Sequence, residues 1–133
     1  MGKPPFAART GKELMKTGVE LIAEERTRQI TKEGWTTYHD DEHVNGEMAK
    51  AAACYADFSC PTEERTIQVA LQRGLSEPER FYHVRVQVPV NWPWSAEWWK
   101  PSPETRLREL AKAGALIAAE IDRLQRAATE GKM

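Results

Sequence analysis

The sequence predicts a single α+β domain with three main helices and a short antiparallel β-element, assembled as an oligomer. Three segments repeat apolar residues at helical spacing, whereas residues 81–90 alternate apolar and polar side chains as a strand does. The chain has 133 residues, of which 41% are apolar, so it suits one core of ordinary domain size. We expect one domain over residues 10–133, preceded by a flexible arm at residues 1–9.

The first helix is predicted to begin at Thr10, because Thr10 and Glu13 have the spacing of a capping box. Apolar residues then recur every three or four positions, and the helix should continue to Lys32 before Gly34 ends it. The next residues, 34–43, contain aromatic and acidic side chains without a helical period. This segment is therefore predicted to be an ordered loop.

A second helix is predicted from Val44 to Phe58, since Met48, Ala51 and Tyr55 fall on one stripe. Four alanines lie between positions 49 and 53. Small side chains let another helix come close, so we expect this helix at the centre of the core.

The β-element is predicted from the alternation at residues 81–90, where valine occupies every second position from 84 to 90. Pro89 cannot donate to a ladder, which places the end of this strand at a sheet edge. The preceding segment, 66–72, is compatible with a short helix or with a strand. The predicted strand therefore pairs either with residues 66–71 or with a copy of itself in another subunit.

The last part of the chain is predicted to form a rigid aromatic loop and a long helix. Residues 91–103 combine four tryptophans with three prolines. Ser102 is the predicted N-cap, Pro103 the first helical residue, and the helix should run to about Arg126. Along one face of this helix, apolar or small residues recur at alternating three- and four-residue spacing and form a seam: Leu107, Leu110, Gly114, Ile117, Ile121 and Leu124. We expect this seam and the Ala-rich stripe of the second helix to join subunits in a homo-oligomer.

Composition excludes several classes of protein. The net charge of −1 gives no general attraction to a nucleic-acid backbone or to an anionic membrane. No apolar run reaches the roughly 18 residues that span a bilayer, and the N-terminus lacks the apolar segment of a secretion signal. We expect a cytoplasmic protein whose two cysteines, Cys54 and Cys60, are free thiols.

An acidic cluster is the first candidate site. Asp40, Asp41, Glu42 and Glu47 lie close in sequence, with His39 and His43 between them. Magnesium prefers several oxygen ligands, and Glu24, Glu25, Asp41 and Glu47 could supply them from two helices, with Glu120 or Asp122 from the last helix. The alternative is that an aspartate caps the second helix and that the other charges are solvated.

The residues 25–56 and 107–124 resemble the all-α MazG-like nucleotide pyrophosphohydrolases, in which ER-x-x-Q precedes a Trp and an acidic helix follows. The resemblance implies a magnesium-dependent enzyme. Those enzymes hold the metal with E-x-x-E on one helix and E-x-x-D on another. Here Glu47 is followed by Lys50, and residues 112–115 contain no acid, so half of that metal site is missing.

A second candidate site lies downstream. Phe81 and Tyr82 begin the predicted strand, Asn91 and Trp92 follow it, and two arginines, Arg106 and Arg108, begin the last helix. A nucleotide needs an aromatic face for its base, an amide for a base edge or ribose, and guanidinium groups for its phosphates. The alternative is an aromatic minicore with surface arginines.

The order of these elements resembles the first class of phage Thoeris anti-defence sponges, which bind cyclic ADP-ribose-type immune signals without cleaving them. In that family an aromatic residue stacks on the adenine, an asparagine follows about ten positions later, and an arginine near the last helix holds the phosphates. Phe81, Asn91 and Arg108 match this order, and Arg28 matches a basic group of the first helix. Trp92 is a further stacking candidate. The resemblance also implies dimers or trimers of dimers.

The leading hypothesis is therefore a phage protein that sequesters a cyclic ADP-ribose-like nucleotide in the cytoplasm of an infected cell. It binds through Phe81, Asn91, Arg108, Arg28 and Trp92, with no catalytic residue and no metal. The alternative is a magnesium-dependent, MazG-like pyrophosphohydrolase.

Overall fold

The computed structural model describes residues 16–71 and 80–131. Within these residues the chain is α+β, with four helices and one two-stranded antiparallel sheet. The helices are α1 (Gly18–Thr31), α2 (Thr37–Asp41), α3 (Glu47–Ala56) and α4 (Arg106–Thr129), and the strands are β1 (Thr62–Leu71) and β2 (Arg80–Pro89). The predicted arm and the predicted cap at Thr10 lie outside the described residues. None of the described helices combines the length and apolarity that crossing a bilayer requires.

Helix α1 is capped by the pair Thr17 and Glu20. The Glu20 amide donates to Thr17 Oγ1 at 3.1 Å, and the Thr17 amide donates to Glu20 Oε1 at 3.0 Å. The helix ends at Thr31, and Gly34 follows with φ of 75°, a left-handed conformation that favours glycine. The predicted end of this helix is confirmed to within one residue, whereas residues 16 and 17, which were predicted to be helical, precede the helix.

The prediction of a loop over residues 34–43 was wrong for Thr37–Asp41, which form α2. The Thr36 side chain caps this helix by accepting from the His39 amide at 3.4 Å. Five residues are too few to show an apolar period, so no pattern in the sequence could reveal this helix.

Helix α3 is shorter than predicted, because Gly46 adopts φ of 77° and Val44 remains in solvent. Its stripe of Met48, Ala51 and Tyr55 is buried against α4, as predicted. The core of the protein lies between these two helices, and three partly buried indoles pack against it.

The segment 66–72 was compatible with a helix or a strand. In the structure, residues 62–71 form a strand that pairs with β2 of the same chain. The register runs from Thr62 opposite Pro89 to Leu71 opposite Arg80. Arg65 fastens the base of this hairpin, because its guanidinium donates to four carbonyl oxygens at the end of β2 and in the loop after it: those of Pro89, Val90, Trp92 and Trp94.

The start of α4 differs from the prediction. The helix begins at Arg106, and Thr105 makes no side-chain capping bond. Ser102 and Pro103 match the sequence signature of a helix start, but Ser102 is held by other partners. Its amide donates to Glu109 Oε2 at 3.2 Å, and its hydroxyl accepts from Lys112 Nζ at 3.2 Å.

The buried stripe of α4 is also not the predicted Leu/Ile seam. The residues that face α3 are small or central to the core, namely Ala113, Leu116 and Ala119. The seam lies on a neighbouring face and its five large side chains are exposed: Leu107, Leu110, Ile117, Ile121 and Leu124. The Ala-rich stripe of α3 is used inside the chain and offers no surface to a second copy, whereas the seam does.

Gly114 allows α1 to pack closely against α4. A methyl group there would overlap the Ile22 side chain, at 2.6 Å from Cγ1. We expect Gly114→Ala to lower the free energy of unfolding by about 1–2 kcal/mol, because this overlap exceeds the roughly 1 kcal/mol gained in helix propensity. In an Ile22→Ala background the same change should become stabilising. Urea denaturation of the four proteins checks this, and equal effects in both backgrounds would contradict the close packing.

Candidate functional site

A cavity of about 220 Å³ lies between the last turns of α1, the first half of α4 and the loop that precedes α4. Four cationic side chains line it, against two carboxylates. The cations are Arg28, Lys100, Arg108 and Lys112; the carboxylates are Glu25 and Glu33; the aromatic walls are Trp35, Tyr55 and Trp98. The cavity therefore combines an excess of positive charge with aromatic surface.

Arg28 is held by the two carboxylates. Its Nη2 lies 2.6 Å from Glu25 Oε2 and its Nη1 lies 3.0 Å from Glu33 Oε1. Lys100 Nζ also binds Glu33, at 3.3 Å. The hydrogen bonds to Glu25 raise the pKa of Arg28 above its ordinary value, and the bond from Arg28 holds the pKa of Glu33 below its usual range. Both carboxylates are thus committed to cations that line the same cavity.

Lys112 is a buried cation. Its Nζ donates to the Lys100 carbonyl at 2.6 Å and to Ser102 Oγ, and it lies 5.5 Å from the centre of the Tyr55 ring. Burial lowers the pKa of Lys112, and the positive charge of Arg108 lowers it further. A bound anion would offset both effects, since it supplies the opposite charge.

Tyr55 forms the floor of the cavity. Its hydroxyl accepts from the Lys100 amide at 3.2 Å, and burial raises its pKa to about 12. The ring packs edge-on against Trp92, with centroids 5.7 Å apart. Trp92 is itself buried in the core and donates from Nε1 to the Ser95 carbonyl at 3.0 Å. In one chain its ring is therefore committed to packing.

Arg108 differs from the other cations of the cavity. Among the residues that the structure describes, its guanidinium makes no hydrogen bond or ion pair. Gln29 adds an unpaired acceptor, because its Oε1 is buried and has no hydrogen-bond partner within the described ranges. Arg108 and Gln29 thus both line this cavity with polar groups that have no hydrogen-bond partner in the described part of the chain.

The residues predicted from sequence fall in three places. Arg28 and Arg108 come together in this cavity. Asn91 and Trp92 line a different cavity, of about 560 Å³, next to α3. Phe81 is 54% exposed at the far end of β2, and ten residues of largely extended chain separate it from Asn91, which corresponds to roughly 30 Å. One chain therefore does not bring Phe81 to the other predicted residues.

The four carboxylates of the alternative metal site each have partners of their own. Glu24 binds Lys16 at 2.6 Å, Glu25 binds Arg28, Asp41 binds Arg126 at 2.7 Å, and Glu47 accepts from His43 and from the Asn45 amide. Within residues 16–71 and 80–131, no three His, Cys, Asp or Glu side chains are grouped so that they could hold a metal ion.

The sequence predictions missed Lys100, Lys112 and Gln29. A signal for Lys112 was present, because it lies four residues before the buried Leu116 and therefore on the core-facing stripe of α4. A lysine on such a stripe needs buried partners, which indicates a polar cavity.

Comparisons of the chain with protein-family models, with curated proteins and with solved structures find no match.

Proposed function

We propose that this protein binds a small phosphorylated nucleotide of the cyclic ADP-ribose type and sequesters it without cleavage. The observation that carries the proposal is the guanidinium of Arg108, which has no hydrogen-bond or ion-pair partner within residues 16–71 and 80–131, in a cavity that also holds Arg28, Lys100 and Lys112. A pyrophosphate would accept hydrogen bonds from Arg108 and Lys112, and such charge-assisted bonds are the strong ones. Trp35 and Trp98 offer aromatic surface for a base or ribose.

The chemistry of the cavity favours binding over turnover. Glu25 and Glu33 are paired with cations, and the Tyr55 hydroxyl keeps its proton at neutral pH, since burial raises its pKa still further above neutrality, to about 12. A general base needs a free acceptor near the attacked bond. Neither carboxylate nor this hydroxyl offers one.

A second copy of the chain is part of the proposal. The cavity on one chain is smaller than the roughly 300–1,000 Å³ of pockets that enclose a small molecule. The stacking ring of Phe81 and the amide of Asn91 would then reach the ligand from different copies of the chain. The exposed Leu/Ile seam of α4 and the half-buried apolar face of the hairpin, with Ile67 and Val84, are the surfaces that two copies could share.

The first experiment measures binding and recovery. Purified protein is incubated with cyclic ADP-ribose isomers, separated from free ligand and denatured, and the released molecule is identified by mass spectrometry. We expect intact ligand from the native chain and about 10–100-fold weaker binding for Arg108→Ala, the loss of one or two charge-assisted contacts. Arg85→Ala is the matched control, because Arg85 is an exposed arginine of β2 outside this cavity.

Two results would contradict the proposal. One is unchanged binding by Arg108→Ala. The other is a nucleoside monophosphate that appears from deoxynucleoside triphosphates with magnesium and disappears in Glu47→Gln, which would favour the pyrophosphohydrolase.

The second experiment tests the shared site. Phe81→Ala and Arg108→Ala are each expected to lose binding, whereas the two variants co-expressed should recover part of it. Recovery is possible only if one ligand contacts Phe81 of one copy and Arg108 of another, since each mixed pair then contains an intact site. Absence of recovery would contradict a site shared between two copies.

A further inference from the structure

A second cavity, of about 350 Å³, opens where α2 leads into α3. Most of its lining is aromatic, namely His39, His43, Trp35, Trp94 and Trp98, and Glu33, Glu42 and Ser95 complete it. Trp35 stacks on His39 with centroids 5.6 Å apart, and Trp94 lies 5.1 Å from His43. The cavity is thus built around two imidazoles whose rings are held by indoles.

The hydrogen bonds of the two imidazoles define where their protons lie. His39 Nδ1 is 3.1 Å from Asp40 Oδ1, and His43 Nδ1 is 3.2 Å from Glu47 Oε2. A carboxylate can only accept, so each Nδ1 carries a hydrogen. Each neutral ring then keeps a lone pair on Nε2, which is the atom left for a metal or a further hydrogen bond.

These two Nε2 atoms face each other at 3.4 Å. With both hydrogens on Nδ1, no hydrogen lies between them, and two lone pairs at this distance repel. The arrangement becomes favourable when a positive species, a proton or a metal ion, binds both nitrogens.

The distance fits one coordination geometry. Zinc binds imidazole nitrogen at about 2.0–2.1 Å, and a tetrahedral angle then places two such nitrogens about 3.3–3.4 Å apart. A right-angled pair, as in octahedral coordination, would bring them to about 2.9 Å with the same bond length. The observed separation therefore matches tetrahedral coordination.

We propose that His39 and His43 hold a divalent transition-metal ion of tetrahedral preference through their Nε2 atoms. The two remaining positions open into the cavity, where water or an incoming donor would complete them. The carboxylates of Asp40 and Glu47 fix the tautomer and orientation of each ring, as metal-binding histidines require. Asp40 is in turn held by Arg26 at 2.6 Å, so the whole arrangement is anchored to α1.

The test uses cobalt(II), whose visible absorption is strong in tetrahedral sites. The untagged full chain is titrated with Co²⁺ in an inert buffer, and bound Co²⁺ is then displaced with Zn²⁺. We expect a tetrahedral spectrum at one ion per chain, with quenching of tryptophan fluorescence because Trp35 and Trp94 contact the ligands. His39→Gln and His43→Gln should each weaken Co²⁺ binding by more than about 10-fold.

His83→Gln is the matched control. It changes the third of the three histidines, which is exposed on β2 away from this cavity, and should leave binding unchanged. Because a variant could lose its fold, thermal unfolding of the native chain is measured as well, and Zn²⁺ should raise its Tm while Mg²⁺ does not. Equal Co²⁺ affinity in all four proteins, an octahedral spectrum, or no effect of Zn²⁺ on Tm would overturn the proposal.

Discussion

Arg26→Met should lower the free energy of unfolding by about 3 kcal/mol, at the lower end of the range for breaking a buried ion pair. The Asp40 side chain is fully buried, and its Oδ2 lies 2.6 Å from Arg26 Nη2. Without Arg26 this carboxylate keeps the imidazole of His39 as its one side-chain partner in the described part of the chain. The value lies at the lower end because Arg26 Nη1 is itself buried without a partner among the described residues, and its removal relieves that cost.

Two variants sharpen this test by urea denaturation. Arg126→Met removes the partner of Asp41, the next residue, and should cost less than about 1 kcal/mol because that pair is exposed. The double change Arg26→Met with Asp40→Leu should recover much of the loss, since no buried charge remains unpaired. If Arg26→Met and Arg126→Met had similar effects, Asp40 would not be buried as described.

Leu116→Ala should lower the free energy of unfolding by about 2–5 kcal/mol, the range for truncating a fully buried leucine. Leu116 is 0% exposed at the centre of the contact between α3 and α4. The neighbouring Ile117→Ala is the matched control, since Ile117 is 48% exposed. We expect less than about 1 kcal/mol from it at protein concentrations where the chain is monomeric.

The pair also separates two orientations of α4. The seam predicted from sequence contains Ile117, whereas the buried stripe contains Leu116, and the two differ by a rotation of about 100°. A larger loss for Ile117→Ala than for Leu116→Ala would favour the predicted seam and contradict the structure.

This contrast explains how much of the fold the sequence could predict. The strand at 81–90 and the stripe of α3 were predicted because alternation and helical spacing are local properties. The stripe of α4 was not, because two adjacent faces of that helix carry apolar residues. The choice between them depends on the short side chains of Ala113 and Ala119, which let α3 approach, and not on which face is more hydrophobic.

The candidate site was predictable only where residue type alone is informative. Arg28 and Arg108 were predicted and lie in one cavity, although they are far apart in sequence. Phe81 and Asn91 are close in sequence, but an extended strand carries them apart. Lys112 and Gln29 were missed, because their role depends on burial, which the sequence does not state directly.

The hydrogen bonds that Arg65 donates at the base of the hairpin make the two ends of the hairpin unequal in stability. Val88 and Pro89 are buried at the base, where Arg65 binds four carbonyl groups, whereas Phe81 and Tyr82 at the other end are exposed. A two-stranded sheet gains little stability by itself, so amide exchange should slow progressively from Tyr82 toward Val88. A molecule that contacts Phe81 must therefore immobilise the least protected end of β2. Part of its binding free energy is spent on that ordering.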